Sequence, residues 1–311
     1  MNSDPDLPLN PAPRVWYCDH HEVPLPERHR FPMAKYRMVR ESLVSSGTLS
    51  ASQLQPAEPD SELAVRRVHD AGYVQRFLSG ALPSRAVKEI GFPWSSKLVR
   101  RCLASVHGTL QASEAALVDG WAGNLAGGTH HAHRARGSGY CVFNDIAVAA
   151  HARLGDGSVR RILVFDVDVH QGDGTAAIFE EEPRVFTCSI HGERNFPARK
   201  ARSDLDVGLP DGIGDGEYLE VLDRTLASAL ERSRPELAFV QGGVDALHSD
   251  RLGRMSLSHA GMLERDRRVL GELSRRGVPF VLTLGGGYAE PIEETVTAHV
   301  GTYRTAMALG E

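Results

Sequence analysis

The segment from Arg161 to Thr175, RILVFDVDVHQGDGT, constrains this chain more than any other. Ile162, Leu163, Val164 and Phe165 form an unbroken apolar run, the mark of a strand covered on both faces. Asp166, Asp168 and His170 then recur at period two, so their side chains share one side. Gly172 and Gly174 flank Asp173 and break the strand, and a helix is expected to start near Thr175. Carboxylates and imidazoles at the end of a buried strand are costly unless they are paired or hold a metal. The pattern points to a divalent-metal site at the carboxyl rim of a parallel sheet, where α/β enzymes place their chemistry.

The composition is that of an ordinary globular protein, with 41% hydrophobic and 24% charged residues in 311. A net charge of −5 gives no electrostatic reason to expect nucleic-acid binding, and leans weakly toward a cationic substrate. Cys18, Cys102, Cys141 and Cys188 form no Cys-x-x-Cys pair, so a reduced, cytoplasmic chain is expected. There is no signal-peptide core and no apolar run of about 18 residues, so no membrane partner is expected. The preference for Arg over Lys points to a bacterial, GC-rich coding sequence.

Residues 1–13 read as a Pro-rich flexible arm and residues 14–311 as a single domain. Val15–Cys18 reads as a first strand. His20, His21 and Glu22 are metal-ligating types, but neighbours on an extended chain point to opposite faces, which favours a plain polar loop. Helices are expected over 33–44, around Tyr73 to Leu78, over 97–119 with Ser95 or Ser96 as cap, and over 143–153. Ala64-Val65 reads as a short strand, and Gly123–Gly139 as a Gly/His/Arg loop too long for a mere connector. Strands at 184–190, 237–241 and 278–284 alternate with helices at 216–231, 258–276 and up to about 308, and 192–214 reads as irregular. This alternation predicts a parallel sheet covered on both faces. Asp245 and Tyr288 each follow a strand end, as Asp168 and His170 do.

Five segments together resemble the zinc-dependent histone deacetylase family of the arginase–deacetylase fold. They are GGTHHAHRARGSGYCVFND (127–145), DVDVHQGDGT (166–175), TCSIH (187–191), GGVDALHSDRLG (242–253) and LGGGY (284–288). SDRLGRMSLS and GFPWSS look most like the class IV type and bacterial histone deacetylase-like amidohydrolases. The resemblance implies a three-layer α/β/α domain with a mainly parallel, eight-stranded sheet.

It also implies divalent-metal ligation by Asp168, His170 and Asp245. One imidazole and two carboxylates suit Zn²⁺ with an open position and also admit Fe²⁺. His130 and His131 resemble the family's tandem histidines, oriented by Asp166 and Asp173 respectively. His131 is then the base that takes a proton from water and returns it to the leaving amine, and His130 supplies charge. Tyr288 resembles the hydroxyl donor to the substrate carbonyl. Gly139 and Tyr140 imply one wall of a substrate tunnel, Phe196 the other, and Leu252 a residue at the mouth. A structural K⁺ is implied beside Asp166, Asp168, His170, Ser189 and Ile190. Gln171 stands where a His is common, and no residue matches the rim Asp of class I enzymes, Glu89 being a poor counterpart.

The expected reaction is hydrolysis of an N-acyl-lysine amide in a protein or peptide. Three other readings are a long-chain deacylase, an amidohydrolase of small acylated amines such as acetylpolyamines, and a silent acyl-lysine binder. The apolar Leu252 stands where polyamine-selective relatives carry an acid, and the full complement of ligands, histidines and Tyr288 speaks against silence.

Overall fold

Leu163 and Phe165 pack into one apolar core while Ile162 and Val164, alternating with them, pack into another on the opposite face. This double burial defines the architecture: a sheet between two helical layers. The computed structural model describes residues 12–310, so most of the expected arm at 1–13 lies outside the described residues.

The chain opens with β1 (Val15–Tyr17), α1 (Lys35–Ser45) and β2 (Leu54–Pro56). Then come α2 (Glu62–Val68), α3 (Ala71–Leu78), α4 (Ser84–Ile90), the long α5 (Ser96–Asp119) and β3 (Trp121–Asn124). The middle holds α6 (Asp145–Gly155), β4 (Ile162–Asp166), α7 (Asp173–Phe179), β5 (Val185–Gly192) and β6 (Leu205–Leu209). The last part is α8 (Asp215–Ser233), β7 (Leu237–Gln241), α9 (His259–Arg275), β8 (Phe280–Thr283) and α10 (Ile292–Met307), ending in a 3₁₀ turn.

The sheet has eight strands in the order β2-β1-β3-β8-β7-β4-β5-β6, and every pairing is parallel. β7 and β8 fill the gap between β3 and β4, and loops rise from the carboxyl ends of these four strands. That is the position where an open parallel sheet accepts ligands. One face carries α1, α8, α9 and α10, and the other α2, α3, α5, α6 and α7.

Capping explains several helix starts. The Ser95 hydroxyl accepts from Leu98 N at 3.1 Å, the Asn144 side chain from Ala147 N, and Ser258 from Gly261 N. The loops before Asn144 and Ser258 carry site residues. Two readings need correction, and three elements were not expected. Ala64 and Val65 lie in α2, where Val65 and Val68 bury one helical face. The stretch 192–214 contains edge strand β6, half exposed and therefore only weakly patterned. Strands β2 and β3, three and four residues long, and helix α4 have no counterpart in the expectations above.

Candidate active site

β4 ends at Asp166, but period two persists beyond it. Val167 and Val169 turn into the core shared with α8 and α9. Asp168 and His170 therefore emerge on the other side, and the turn after β7 brings Asp245 to them. His170 Nδ1 lies 3.1 Å from Asp168 Oδ1 and 3.0 Å from Asp245 Oδ2, and all three residues are buried. One ligand atom from each falls within 4.8 Å of the others. Ligands about 2 Å from a tetrahedral ion are separated by about 3.3 Å, so the set fits a divalent cation.

The free lone pairs are held by neighbours. Asp168 Oδ2 accepts from Gln241 Nε2 and from Gly286 N, both at 2.9 Å, and Asp245 Oδ1 accepts from Val169 N at 2.9 Å. A side chain at Gly286 would collide with the Asp168 and Asp245 carboxylates, so this position needs glycine. Burial and the Asp168 charge, against the pull of His170, push Asp245 up to about 7. Burial disfavours the charged form of His170, yet Asp245 and Asp168 hold it at about 10.

Beside it lie the tandem histidines. His130 Nδ1 meets Asp166 Oδ2 at 2.6 Å and His131 Nδ1 meets Asp173 Oδ1 at 2.7 Å, leaving the two Nε2 atoms 3.1 Å apart. Their environments push them apart. Burial opposes charge on His130, but Asp166 and Asp168 outweigh it and raise its pKa to about 9. Burial and the His130 charge lower His131 to about 4, against the pull of Asp173. One ring is thus a cation and the other a neutral base at pH 7. His133, which had no assigned role, shares Asp173 through Nε2 at 2.9 Å.

Tyr288 lines the same cavity as His130, His131, Asp168 and His170. Burial and the Asp245 and Asp168 charges raise its pKa well above the usual phenol value, so it is a hydroxyl donor at neutral pH. Two supports went unread in the sequence. Asp250 Oδ2 accepts from Tyr288 N at 2.6 Å, while Oδ1 takes Leu252 N and Gly253 N. Lys35, fully buried, donates to the carbonyls of Gly285 at 3.0 Å and Gly287 at 3.3 Å and lies 5.1 Å from the Tyr288 ring centroid. Burial lowers Lys35 to about 8. A signal was present: Lys35 continues the buried stripe of Val39 and Leu43 on α1, where an apolar residue is normal.

At the mouth, the Phe196 ring stands edge-on to His131 at 4.8 Å and is 45% exposed. A Cβ on Gly139, whose φ is 54°, would come within 2.7 Å of the His131 ring and 3.2 Å of Phe196. The Tyr140 ring faces inward, 5.0 Å from Phe31 and 5.3 Å from Phe92. Leu252 is joined to this rim by its carbonyl, which accepts from Asn195 Nδ2 at 2.8 Å. Next to the active cavity is an apolar chamber with Met33, Phe92, Val142 and Phe143 in its wall. Phe31, Tyr36, Gly127, Thr129 and Tyr140 line both spaces. Asp166 and Ser189 are register partners on β4 and β5, with Ile190 next along β5. The Glu89 carboxylate pairs with Arg85 at 2.9 Å. His20 and His21 do come together, but with Glu58 instead of Glu22.

An eight-stranded parallel α/β sheet carries a buried two-acid, one-imidazole cluster beside aspartate-backed histidines at its carboxyl rim, where hydrolases of this architecture place their chemistry. The chain belongs to the histone deacetylase family, whose domain model matches residues 29–303. It is 43% identical over 293 residues to an uncharacterized protein of Picosynechococcus sp., covering 94% of this chain and 97% of that one. It is 32% identical to the histone deacetylase-like amidohydrolase of Pseudomonas aeruginosa, over 82% and 71% of the two chains. Histone deacetylase 2 of Arabidopsis thaliana is 29% identical, over 91% and 76%. The crystal structure of a histone deacetylase homologue complexed with SAHA superposes with a TM-score of 0.81, covering 95% and 84% at 24% identity, which shows the common fold. Among the described residues no helix is long and apolar enough to cross a membrane.

Proposed function

We propose that this protein hydrolyses the side-chain amide of N-acyl-lysine in proteins or peptides, with residues 14–311 as one catalytic domain of the class IV-like type. The observation that carries this reading is that Asp168, His170, the His130–His131 pair and Tyr288 line one cavity, with Asp245 beside His170. Asp168, His170 and Asp245 would hold Zn²⁺, or Fe²⁺, consistent with a family that is generally zinc-dependent. That ion, when bound, polarises the scissile carbonyl and acidifies water.

The protein's own residues do the rest. Neutral His131, its tautomer held by Asp173, accepts a proton through Nε2 and later returns it to the departing amine. Cationic His130 supplies positive charge beside the developing oxyanion. Tyr288, tethered through its backbone N–H to Asp250, donates its hydroxyl to that oxyanion. Gly139, Tyr140, Phe196 and Leu252 guide the lysine stem, whose methylenes suit aromatic walls. Asp166, Asp168, His170, Ser189 and Ile190 form the proposed monovalent-cation site.

A second reading has one observation behind it. The apolar chamber adjoins the cavity, sharing Phe31, Tyr36, Gly127, Thr129 and Tyr140 with it. An acyl chain longer than acetyl would extend toward it. Turnover of matched acetyl-, octanoyl- and myristoyl-lysine peptides, with acetylputrescine alongside, tests both readings. Activity should vanish with a chelator and return with Zn²⁺. Turnover untouched by a strong chelator would refute the metal-assisted reading, and a peptide inert at every acyl length would refute the lysine reading.

A further inference from the structure

The sequence placed His20 and His21 in a polar loop because adjacent residues on a strand diverge. The structure removes that premise. β1 ends at Tyr17, and a turn closed by His21 N donating to Cys18 O at 3.0 Å follows it. In this turn the two imidazoles lie on one side, with ring centroids 4.1 Å apart and planes tilted by 42°. The facing group comes from β2, not from the same loop. β2 runs parallel to β1, and Ala57 N donates to Tyr17 O at 2.8 Å, which carries Glu58 over the turn.

Both Nε2 atoms aim at this one carboxylate. His20 Nε2 lies 3.7 Å from Glu58 Oε1, and His21 Nε2 lies 3.8 Å from Glu58 Oε2. These gaps are too long for hydrogen bonds. A tetrahedral ion would hold the same atoms about 3.3 Å apart, within a small side-chain rotation of their present places. The second observation concerns His21 alone. Its side chain is 10% exposed, and its Nε2 is buried with no hydrogen-bond partner in the protein. A buried imidazole nitrogen left without a partner, facing a carboxylate beyond hydrogen-bond reach, leaves room for a cation between two electron-pair donors.

We propose that His20, His21 and Glu58 form a second divalent transition-metal site, taking Zn²⁺ or a similar ion that favours imidazole. Two imidazoles and one carboxylate leave the fourth position to water. Glu58 and His20 are exposed enough for the ion to enter from solvent. The site lies at the carboxyl end of β1, three strands from β7 in the sheet, about 14 Å at 4.8 Å per strand. It is therefore separate from Asp168, His170 and Asp245. Its ion would join the ends of β1 and β2 and pin the loop that leads to Phe31 and Lys35, two residues that border the active cavity or hold the Tyr288 turn. The site thus ties an edge of the sheet rather than performing chemistry.

The test counts metal on the full-length protein carrying its tightly bound metal, dialysed against zinc-buffered solution in the micromolar free-ion range. Wild type should hold one more equivalent of zinc than Glu58→Gln, His20→Ala or His21→Ala. A crystal grown with zinc should show an anomalous peak between the three side chains. Added zinc should raise Tm by a few degrees in wild type and not in Glu58→Gln. Turnover should stay within about twofold of wild type in all three variants. Glu58→Gln, at an exposed position, keeps the test sound if His21→Ala folds poorly. Equal zinc content in wild type and Glu58→Gln overturns the proposal, as does an anomalous peak elsewhere with none here. Because the readout is stoichiometry, its failure is distinct from failure of the deacylase reading.

Discussion

His20–His21 and His130–His131 are both adjacent histidine pairs, and their local geometry is nearly the same. Ring centroids are 4.1 and 4.0 Å apart, and the planes are tilted by 42° and 47°. What stands behind the rings differs. Asp166 and Asp173 each take one Nδ1 of the inner pair, so both rings are oriented and their Nε2 atoms converge at 3.1 Å. The outer pair has no such aspartates, and its Nε2 atoms face Glu58 across an open gap. A pair of imidazoles acquires acid–base character from carboxylates behind it and metal-binding character from a carboxylate in front of it. The dipeptide alone specifies neither.

The contrast can be broken most sharply at Tyr288. Tyr288→Phe should cut turnover by at least about a hundredfold, as loss of one oxyanion donor does, with metal content unchanged. Near-wild-type turnover would remove the inner pair's proposed partner. Asp173→Asn comes next, with an expected loss of about a hundredfold in kcat. Its pH profile sharpens the point. His131 is active when neutral, so with a pKa of about 4 the rate should be level through pH 5–8 and fall as pH drops through about 4. Asp173 raises that pKa, so its neutralisation should move the acid limb lower. An acid limb that moves upward would contradict the assignment.

A smaller effect concerns His69, a third histidine held between two backbone groups. Its Nδ1 meets His133 O at 3.0 Å, and its Nε2 accepts from Asn144 N at 3.0 Å. This arrangement needs the neutral ring, and burial lowers the pKa to about 4. The folded value lies below the unfolded one of about 6.5, so the stabilisation is complete above pH 6.5 and is lost as pH falls toward 4. The loss is about 3 kcal/mol over that window, measurable by urea unfolding at fixed pH values. His69→Gln should flatten that slope. The smallest effect should be Glu58→Gln on turnover, within about twofold, because the outer pair lies away from the cavity. A large drop would show that the two pairs are coupled.

Legibility followed burial. β4 and β7 are buried at every residue, and their apolar runs stand out in the sequence. β2 and β6 are edge strands with half-exposed side chains, and β3, Trp-Ala-Gly-Asn, is short and rich in small residues. Gly123 in β3 is small because Tyr303 of α10 packs on it, a contact that no local pattern announces. Within the site, the family motifs carried Asp168, His170, Asp245, both inner histidines and Tyr288. The supports did not carry their own mark. Gln241 and Asp250 reveal themselves only through the atoms they hold, and Lys35 looks like a surface residue until α1 is packed.

The amino-acid order alone determined that a doubly buried strand ends in alternating acids and an imidazole, because side-chain alternation is local and outlasts the strand itself. Tertiary structure decided which groups meet. Asp245 reaches His170 across 75 residues of chain, and Gly286 reaches Asp168 across 118. Glu58 displaced Glu22 as the partner of the outer histidines for the same reason. Hydrogen-bond and ligand distances depend on where strands lie side by side, and strand order is set by the packing of the whole sheet rather than by neighbours in sequence.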